Sequence, residues 1–277
     1  MTKSNLKFSA ILCVYYKDNP DFFKEALESI INQTLVPNEV VIVCDGPLNA
    51  QLDLIINNAC KKYKFINVYR FEKNVGHGNA RRYAIDKCSN NIIALMDADD
   101  ISVHDRFEKQ IDIFKNNKNV HVVGGQIFEF IGKIDNIVGK RILPEMDSDI
   151  KEYMKKRCPM NQVTVMFNKD AVIDSGNYID WYCEEDYYLW IRMIEKNYNF
   201  YNIQSNLVFV RVGNEMYGRR GGLKYFKSEK RVQKYMLKHN LINYRTYLYN
   251  IMTRFVAEVM LTNKLRGFVY KIFLREK

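Results

Sequence analysis

Apolar residues in this chain fall in short solid runs, each closed by a polar residue, with helically spaced stretches between them. Residues 8–15, FSAILCVY, form one run, closed by Tyr16-Lys17-Asp18. It is too short for a helix and predicts a buried strand. PDFFKEALESIINQT then carries Phe22, Ala26 and Ile30, with Phe23 and Leu27 alongside, at the spacing of one helix face. VPNEVVIVCDG predicts a second strand, Leu52–Tyr63 a helix, INVYRF a third strand, Asn79–Cys88 a helix and NIIALMDADD a fourth strand. Strands alternating with helices predict an α/β fold with a mostly parallel sheet flanked by helices.

In such sheets ligands bind beyond the carboxyl ends of the strands. Here those ends carry Tyr15, Asp45 and the acids Asp97, Asp99 and Asp100. A helix over Val103–Lys115 follows, and beyond residue 105 the pattern loosens. VHVVGGQIFEFI predicts a strand and Asp147–Arg157 a helix. QVTVMFNKDAVIDSGNY predicts a strand, a short helix and a glycine turn. DWYCEEDYYLWIRMIEKN predicts a helix with an acidic first turn, and NLVFVRV a last strand. From Gly222 onward the chain is helical, basic and aromatic. The expected division is a domain over residues 1–215 and a helical extension over 216–277.

Composition changes this picture little. Of 277 residues, 47% are hydrophobic and 27% charged, which fits a folded globular chain and excludes general disorder. The cysteines are scattered without CxxC spacing, so neither a zinc knuckle nor a redox pair is expected. The N-terminal apolar run is too short for a signal peptide, and there is no run of about 18 apolar residues. The expected setting is cytoplasmic. Charge changes more: residues 211–277 hold 16 Lys and Arg against four acids, a net +12, so the rest of the chain is at −2 and the net +10 belongs to the tail.

Several constellations carry candidate chemistry, each with a plainer reading beside it. Asp97-Ala98-Asp99 could supply oxygen ligands to Mg²⁺ or Mn²⁺, or could be an acidic helix start favoured by the dipole. Asp45, before Gly46, could accept hydrogen bonds from a base, or could simply form an Asx turn. Residues 74–82, NVGHGNARR, could cradle a phosphate or form an ordinary glycine turn. Glu184-Glu185-Asp186 could complement a helix dipole, or could hold a desolvated carboxylate tuned for base catalysis. Arg219-Arg220-Gly221-Gly222 could be a phosphate-closing loop or a solvated hinge.

The order of these elements is more specific than any one of them. SAILCVYYKD, ALESIINQT, NEVVIVCDG, NVGHGNARRYAI, ALMDADD, TVMFNKDAVIDSGNY and EEDYYLWIRM together resemble the family 2 glycosyltransferases of the GT-A fold, over about residues 8–212. Within that family the series is most similar to bacterial enzymes of capsule, exopolysaccharide and lipopolysaccharide assembly. The resemblance implies a nucleotide-sugar donor, usually a UDP-sugar, a divalent Mn²⁺ or Mg²⁺ ion, and a lipid-linked or oligosaccharide acceptor. It implies that Cys13 and Tyr15 line the nucleotide pocket, that Asp45 binds the base and that Arg81 lies near the nucleotide. Asp97 would touch ribose or metal and Asp99 the metal. Asp186 would be the catalytic base, with Glu185 and Trp190 on the acceptor side. Arg219 and Arg220 would reach the donor phosphates.

This chain departs from the family in having Cys44-Asp45 where Asp-Asp is frequent, and Asn161-Gln162 where Asn-His is frequent. It lacks the QxxRW motif of processive synthases, which favours single sugar addition. A sugar nucleotidyltransferase would be expected to carry a Gly-rich basic loop after the first strand, where this chain has VYYKDNPDF. A nucleic-acid-binding module would leave both acidic clusters unexplained. The basic, aromatic tail predicts amphipathic helices that lie on the inner face of the cytoplasmic membrane, pack on the domain, or join two copies as a homodimer.

Overall fold

The computed structural model describes residues 6–213 and 221–261. The first four strands are β1 (Phe8–Val14), β2 (Glu39–Cys44), β3 (Ile66–Arg70) and β4 (Ile92–Met96). They pair in parallel in the order β3-β2-β1-β4. Between them run α1 (Pro20–Ile31), α2 (Ala50–Lys62) and α3 (His77–Lys87). The predicted helix of PDFFKEALESIINQT forms because Pro20 sits in its first turn and the Asn19 side chain accepts from the Asp21 and Phe22 amides.

β1 and β2 are sandwiched, and their period of two divides them between two cores. Phe8, Ala10, Leu12 and Val14 face one cluster with Phe23, Ala26 and Ile30 of α1. Ile11, Val41, Val43, Ile93 and Leu95 face the other, with Ala80 and Ala84 of α3.

Past β4 the sheet becomes mixed. The remaining elements are β5 (Ile101–Ser102), α4 (Arg106–Asn116), β6 (Val122–Phe130), β7 (Ile137–Arg141), α5 (Asp147–Met154), β8 (Met166–Asn168), α6 (Lys169–Asp174), α7 (Glu185–Glu195) and β9 (Phe200–Arg211). The order continues β4-β8-β6-β9-β5, with β7 on the free side of β6. β8 is antiparallel to both β4 and β6, whereas β9 runs parallel to β6. β5 and β7 were not foreseen, the first being two residues long and the second too polar to stand out. β9 begins at Phe200, upstream of the expected NLVFVRV.

α8 (Leu223–Lys238) and α9 (Tyr244–Phe255) follow, the latter running into a π-helical turn over Val256–Met260. The tail packs on the domain at least through α8, which contributes Val232 and Met236 to the second core cluster. Among the described residues, no helix is long and apolar enough to cross a membrane.

Candidate functional site

The acids at the end of β4 go to different environments, which is how the fold tolerates them. Asp97 Oδ1 pairs with Arg81 Nη2 at 2.5 Å. Asp100 is buried, and its Oδ1 accepts the Arg211 amide at 2.8 Å. Burial, then Asp99 and Asp97, hold the Asp100 carboxyl well above the usual range. Asp99 is exposed at the tip. Arg106, fully buried behind β4, donates to the carbonyl of Leu95 at 2.8 Å and steadies the strand end just before Asp97.

Arg211 braces this corner. Its side chain lies over the rings of Phe22 and Phe130, donates to the Asp99 carbonyl at 3.1 Å and pairs with Glu25 at 2.5 Å.

Asp45 does not form a local Asx turn. Its Oδ1 accepts the Val75 amide at 2.6 Å and its Oδ2 accepts Asn74 Nδ2 at 2.9 Å, so the carboxylate ties down the loop before α3. Gly46 is required there: its φ is +92°, and a Cβ would meet Asn74 N at 2.9 Å. The second glycine of NVGHGNARR likewise answers to packing, since a Cβ on Gly78 would lie 2.6 Å from the Ile179 carbonyl oxygen. This close approach brings α3 and its Arg81 against the segment leading to α7.

Arg81 joins the two halves of the site. Its side chain is 5% exposed; Nη2 holds Asp97, and Nη1 reaches Glu185 Oε1 on α7 at 3.4 Å. The guanidinium also lies 5.9 Å from the centre of the Tyr178 ring. Burial works to lower the Arg81 pKa, but Asp97 and then Glu185 raise it well above its usual range. Beside it, Arg81 and then burial push His77 down to about 4, so this imidazole is neutral near pH 7.

The acids before and within α7 also diverge. Glu184 is buried toward α8, where Glu229 pairs with Arg254 at 2.6 Å. Glu185 faces Arg81. Asp186 Oδ2 accepts from Cys158 Sγ at 3.7 Å. Burial, then Asp186, hold the Cys158 thiol well above its usual range, so it keeps its proton and can donate. Burial, then Asp186, raise Glu185 to about 7. An acid with a raised folded-state pKa holds its proton more tightly folded than unfolded. Its contribution therefore weakens the fold as pH climbs from about 4.5 to about 7. Urea denaturation over that window should show stability falling with pH, and Glu185→Gln should flatten the curve.

Of the other expected residues, Cys13 sits near Arg81, Asp97 and Asp45, and burial pushes its thiol up to about 12. Tyr15 is 38% exposed at the end of β1, with its ring edge-on to Tyr16. Trp190 is a correction. It is fully buried between the rings of Tyr178 and Phe200, so it offers no surface to an acceptor. Its place in the helix period puts it on the core face of α7. Arg219 and Arg220 lie outside the described residues.

Sequence reading missed Asp18 and Tyr178. Asp18 Oδ2 accepts the Tyr15 amide at 2.9 Å. Burial, then the charges of Asp99 and Asp97, raise it to about 7 against that hydrogen bond. Tyr178 accepts from Gln162 at 2.7 Å beneath Arg81. Neither lies in a distinctive motif, although Asp18 follows a strand-end aromatic pair.

Among the described residues, no group of three or more His, Cys, Asp or Glu is arranged to hold a metal ion. The donor chemistry nonetheless fits a hard cation. Asp97 and Asp99 offer only oxygen, and their negative field is strong enough to perturb Asp18. Mg²⁺-like ions are commonly held by one or two carboxylates together with substrate phosphates.

The sequence model described as glycosyl transferase family 2 matches residues 9–226. The chain is 35% identical to an Escherichia coli UDP-Gal:α-D-GlcNAc-diphosphoundecaprenol β-1,3-galactosyltransferase, over 99% of each chain. Among solved structures, it resembles S. aureus TarS 1-349 in complex with UDP-GlcNAc, with a TM-score of 0.63 and 16% identity, covering 97% of this chain and 77% of that one. It spans 46% of the longer TarS chain. It also resembles the mannosyltransferase PcManGT of Pyrobaculum calidifontis in complex with GDP-Man and Mn²⁺, with a TM-score of 0.62 and 11% identity, covering 95% of this chain and 73% of that one. At these identities the structural likeness shows the fold, which is GT-A.

Proposed function

The chain belongs to glycosyl transferase family 2, and from that premise we propose that it moves one sugar from a UDP-sugar to a hydroxyl of a lipid-linked sugar acceptor, with inversion at the anomeric carbon. The observation that carries this reading is the Arg81 bridge. One buried guanidinium holds Asp97, at the end of the nucleotide-binding sheet, and Glu185, beside the proposed base. A donor site and an acceptor site are thereby locked in register.

Tyr15 is half-exposed and free to stack on a base, and Asp45 shapes the wall of that pocket through the Asn74–Val75 loop. A divalent ion held by Asp99 and Asp97 would supply charge neutralisation for the leaving diphosphate. Asp186, at the start of α7, takes the proton of the acceptor hydroxyl as that oxygen attacks the anomeric carbon. Cys158 orients the Asp186 carboxylate, and Arg81 keeps the neighbouring Glu185 turned away from it. Attack from the face opposite the diphosphate is a single displacement, hence the inversion. The E. coli relative acts on a sugar linked through diphosphate to undecaprenol, which supports a lipid-linked acceptor here. Such an acceptor places the enzyme at the inner face of the cytoplasmic membrane, in surface polysaccharide assembly.

Thermal denaturation with a panel of nucleotide sugars, with and without Mn²⁺, tests this reading. A ligand bound by the native state alone raises stability by RT ln(1 + [L]/Kd). One UDP-sugar at about a hundred times its Kd should stabilise the chain by about 2.7 kcal/mol in Mn²⁺, and Asp99→Ala should remove most of that gain. Equal shifts with and without Mn²⁺ would remove the metal from the proposal. No shift with any nucleotide sugar would overturn it.

A further inference from the structure

α8 and α9 form a hairpin whose outer surface is unlike that of an ordinary packed pair. α8 buries Tyr225, Phe226, Val232 and Met236 against the domain. Its opposite face exposes Lys227, Lys230 and Lys234, while the exposed Lys224 and Arg231 flank it over the Tyr182 and Trp181 rings. Among the described residues, none of these cations pairs with a carboxylate. α9 is inverted. Asn250 is its buried residue, donating to the Lys155 carbonyl and to Gln233 Oε1 at 2.8 Å each. Tyr244, Leu248, Met252 and Phe255, at intervals of a helix turn, stand exposed, and Met260 beyond them is 66% exposed. A helix whose most buried residue is an asparagine while a stripe of aromatic and thioether groups stands outward presents an apolar face to something other than water.

The basic and apolar stripes meet where the Gly222 amide donates to the Glu258 carbonyl and the Phe226 and Phe255 rings touch edge-on. That end of the hairpin adjoins the acceptor side. Ser228 of α8 accepts from Trp181 and donates to the Tyr182 carbonyl, while Lys224 lies over the exposed Tyr182 ring. Residues 181–186 run from there directly to Asp186.

We propose that the outer face of the α8–α9 hairpin docks on an anionic lipid bilayer, cations on the headgroups and apolar stripe in the interface, so that a lipid-linked acceptor is presented at Asp186. The proposal rests on the lipid-linked reading of the acceptor. Charge complementarity selects this occupant over a second copy of the chain: two such faces would set one cation stripe against another, whereas an anionic surface attracts both the stripe and the basic residues that follow it.

The test uses the full chain and vesicles of equimolar phosphatidylglycerol and phosphatidylethanolamine, with phosphatidylcholine vesicles as control. The chain should sediment with the anionic vesicles and not with the neutral ones. Reversing Lys227, Lys230 and Lys234 to Glu together should weaken that binding roughly a hundredfold or more, each cation near such a surface being worth about a fivefold change. Met252→Ser with Phe255→Ser should weaken it as well. Both variants should keep transfer to a water-soluble acceptor analogue, which reads the proposed function separately from docking. Absence of vesicle binding would overturn the proposal. So would a dimer in solution that Met252→Ser with Phe255→Ser dissociates. Loss of thermal stability in that variant with vesicle binding unchanged would assign the face to residues 262–277 of the chain itself, and would also overturn it.

Discussion

Asp186→Asn should lower turnover by roughly 10²–10⁴-fold, the usual contribution of a positioned general base, while leaving donor binding unchanged. The amide keeps the size of the carboxylate and can still accept from Cys158, so the start of α7 should hold its shape. In the proposed mechanism, what it loses is the capacity to take a proton from the acceptor hydroxyl. The measurement is steady-state transfer alongside calorimetric titration of the donor nucleotide. A variant that lost nucleotide binding would place Asp186 on the donor side and contradict the assignment. Glu185→Gln is the companion. Because Glu185 is engaged by Arg81, its neutral variant should act through the alignment of α7 and retain more turnover than Asp186→Asn. The reverse order would make Glu185 the base.

Arg81→Ala should lower stability severely. It removes a buried cation and leaves Asp97 and Glu185 without their shared partner. Breaking a buried ion pair from one side typically costs about 3–5 kcal/mol, because the abandoned charge stays desolvated. The sign of its pH dependence follows. Without Arg81 both carboxylates protonate more readily in the folded state, so the deficit should shrink as pH falls and grow as it rises. Urea denaturation of the two proteins across acidic to neutral pH reads this directly. Arg81→Lys should recover only part of the loss, since an ammonium cannot span two carboxylates as a planar guanidinium does. A deficit of under about 1 kcal/mol, the range of an exposed ion pair, would mean that Arg81 is not the bridge described here.

Much of the parallel half of the fold was legible. The runs 8–15, 40–44 and 92–96 are each short, dominated by apolar residues and closed by polar ones, a pattern imposed by burial on both faces of a sheet. The positions of Tyr15, Asp45 and Asp97 at strand ends followed from the same pattern. The second half was less legible because its strands are short or polar. β5 is two residues long, and β9 opens with Phe-Tyr-Asn-Ile-Gln-Ser, whose alternation is broken by irregular pairing near Gly125 and Gln126. Trp190 was misassigned for a related reason. Its acidic and aromatic neighbours suggest a site, whereas the helix period sets it with Tyr187, Ile191 and Ile194 on the core face, where it packs against Tyr178 and Phe200.

The sequence alone determined which residue types stand at which strand ends, and so the kind of ligand and chemistry to expect, because hydrophobic period and local turn chemistry are properties of neighbours along the chain. The tertiary structure alone decided how the acids are divided. Asp97 goes to Arg81, Asp100 to the Arg211 amide, Glu184 toward α8, Glu185 to Arg81 and Asp186 to Cys158. Those partners lie far away in sequence, and the tuning of a carboxylate depends on desolvation and on charges a few ångströms away in space.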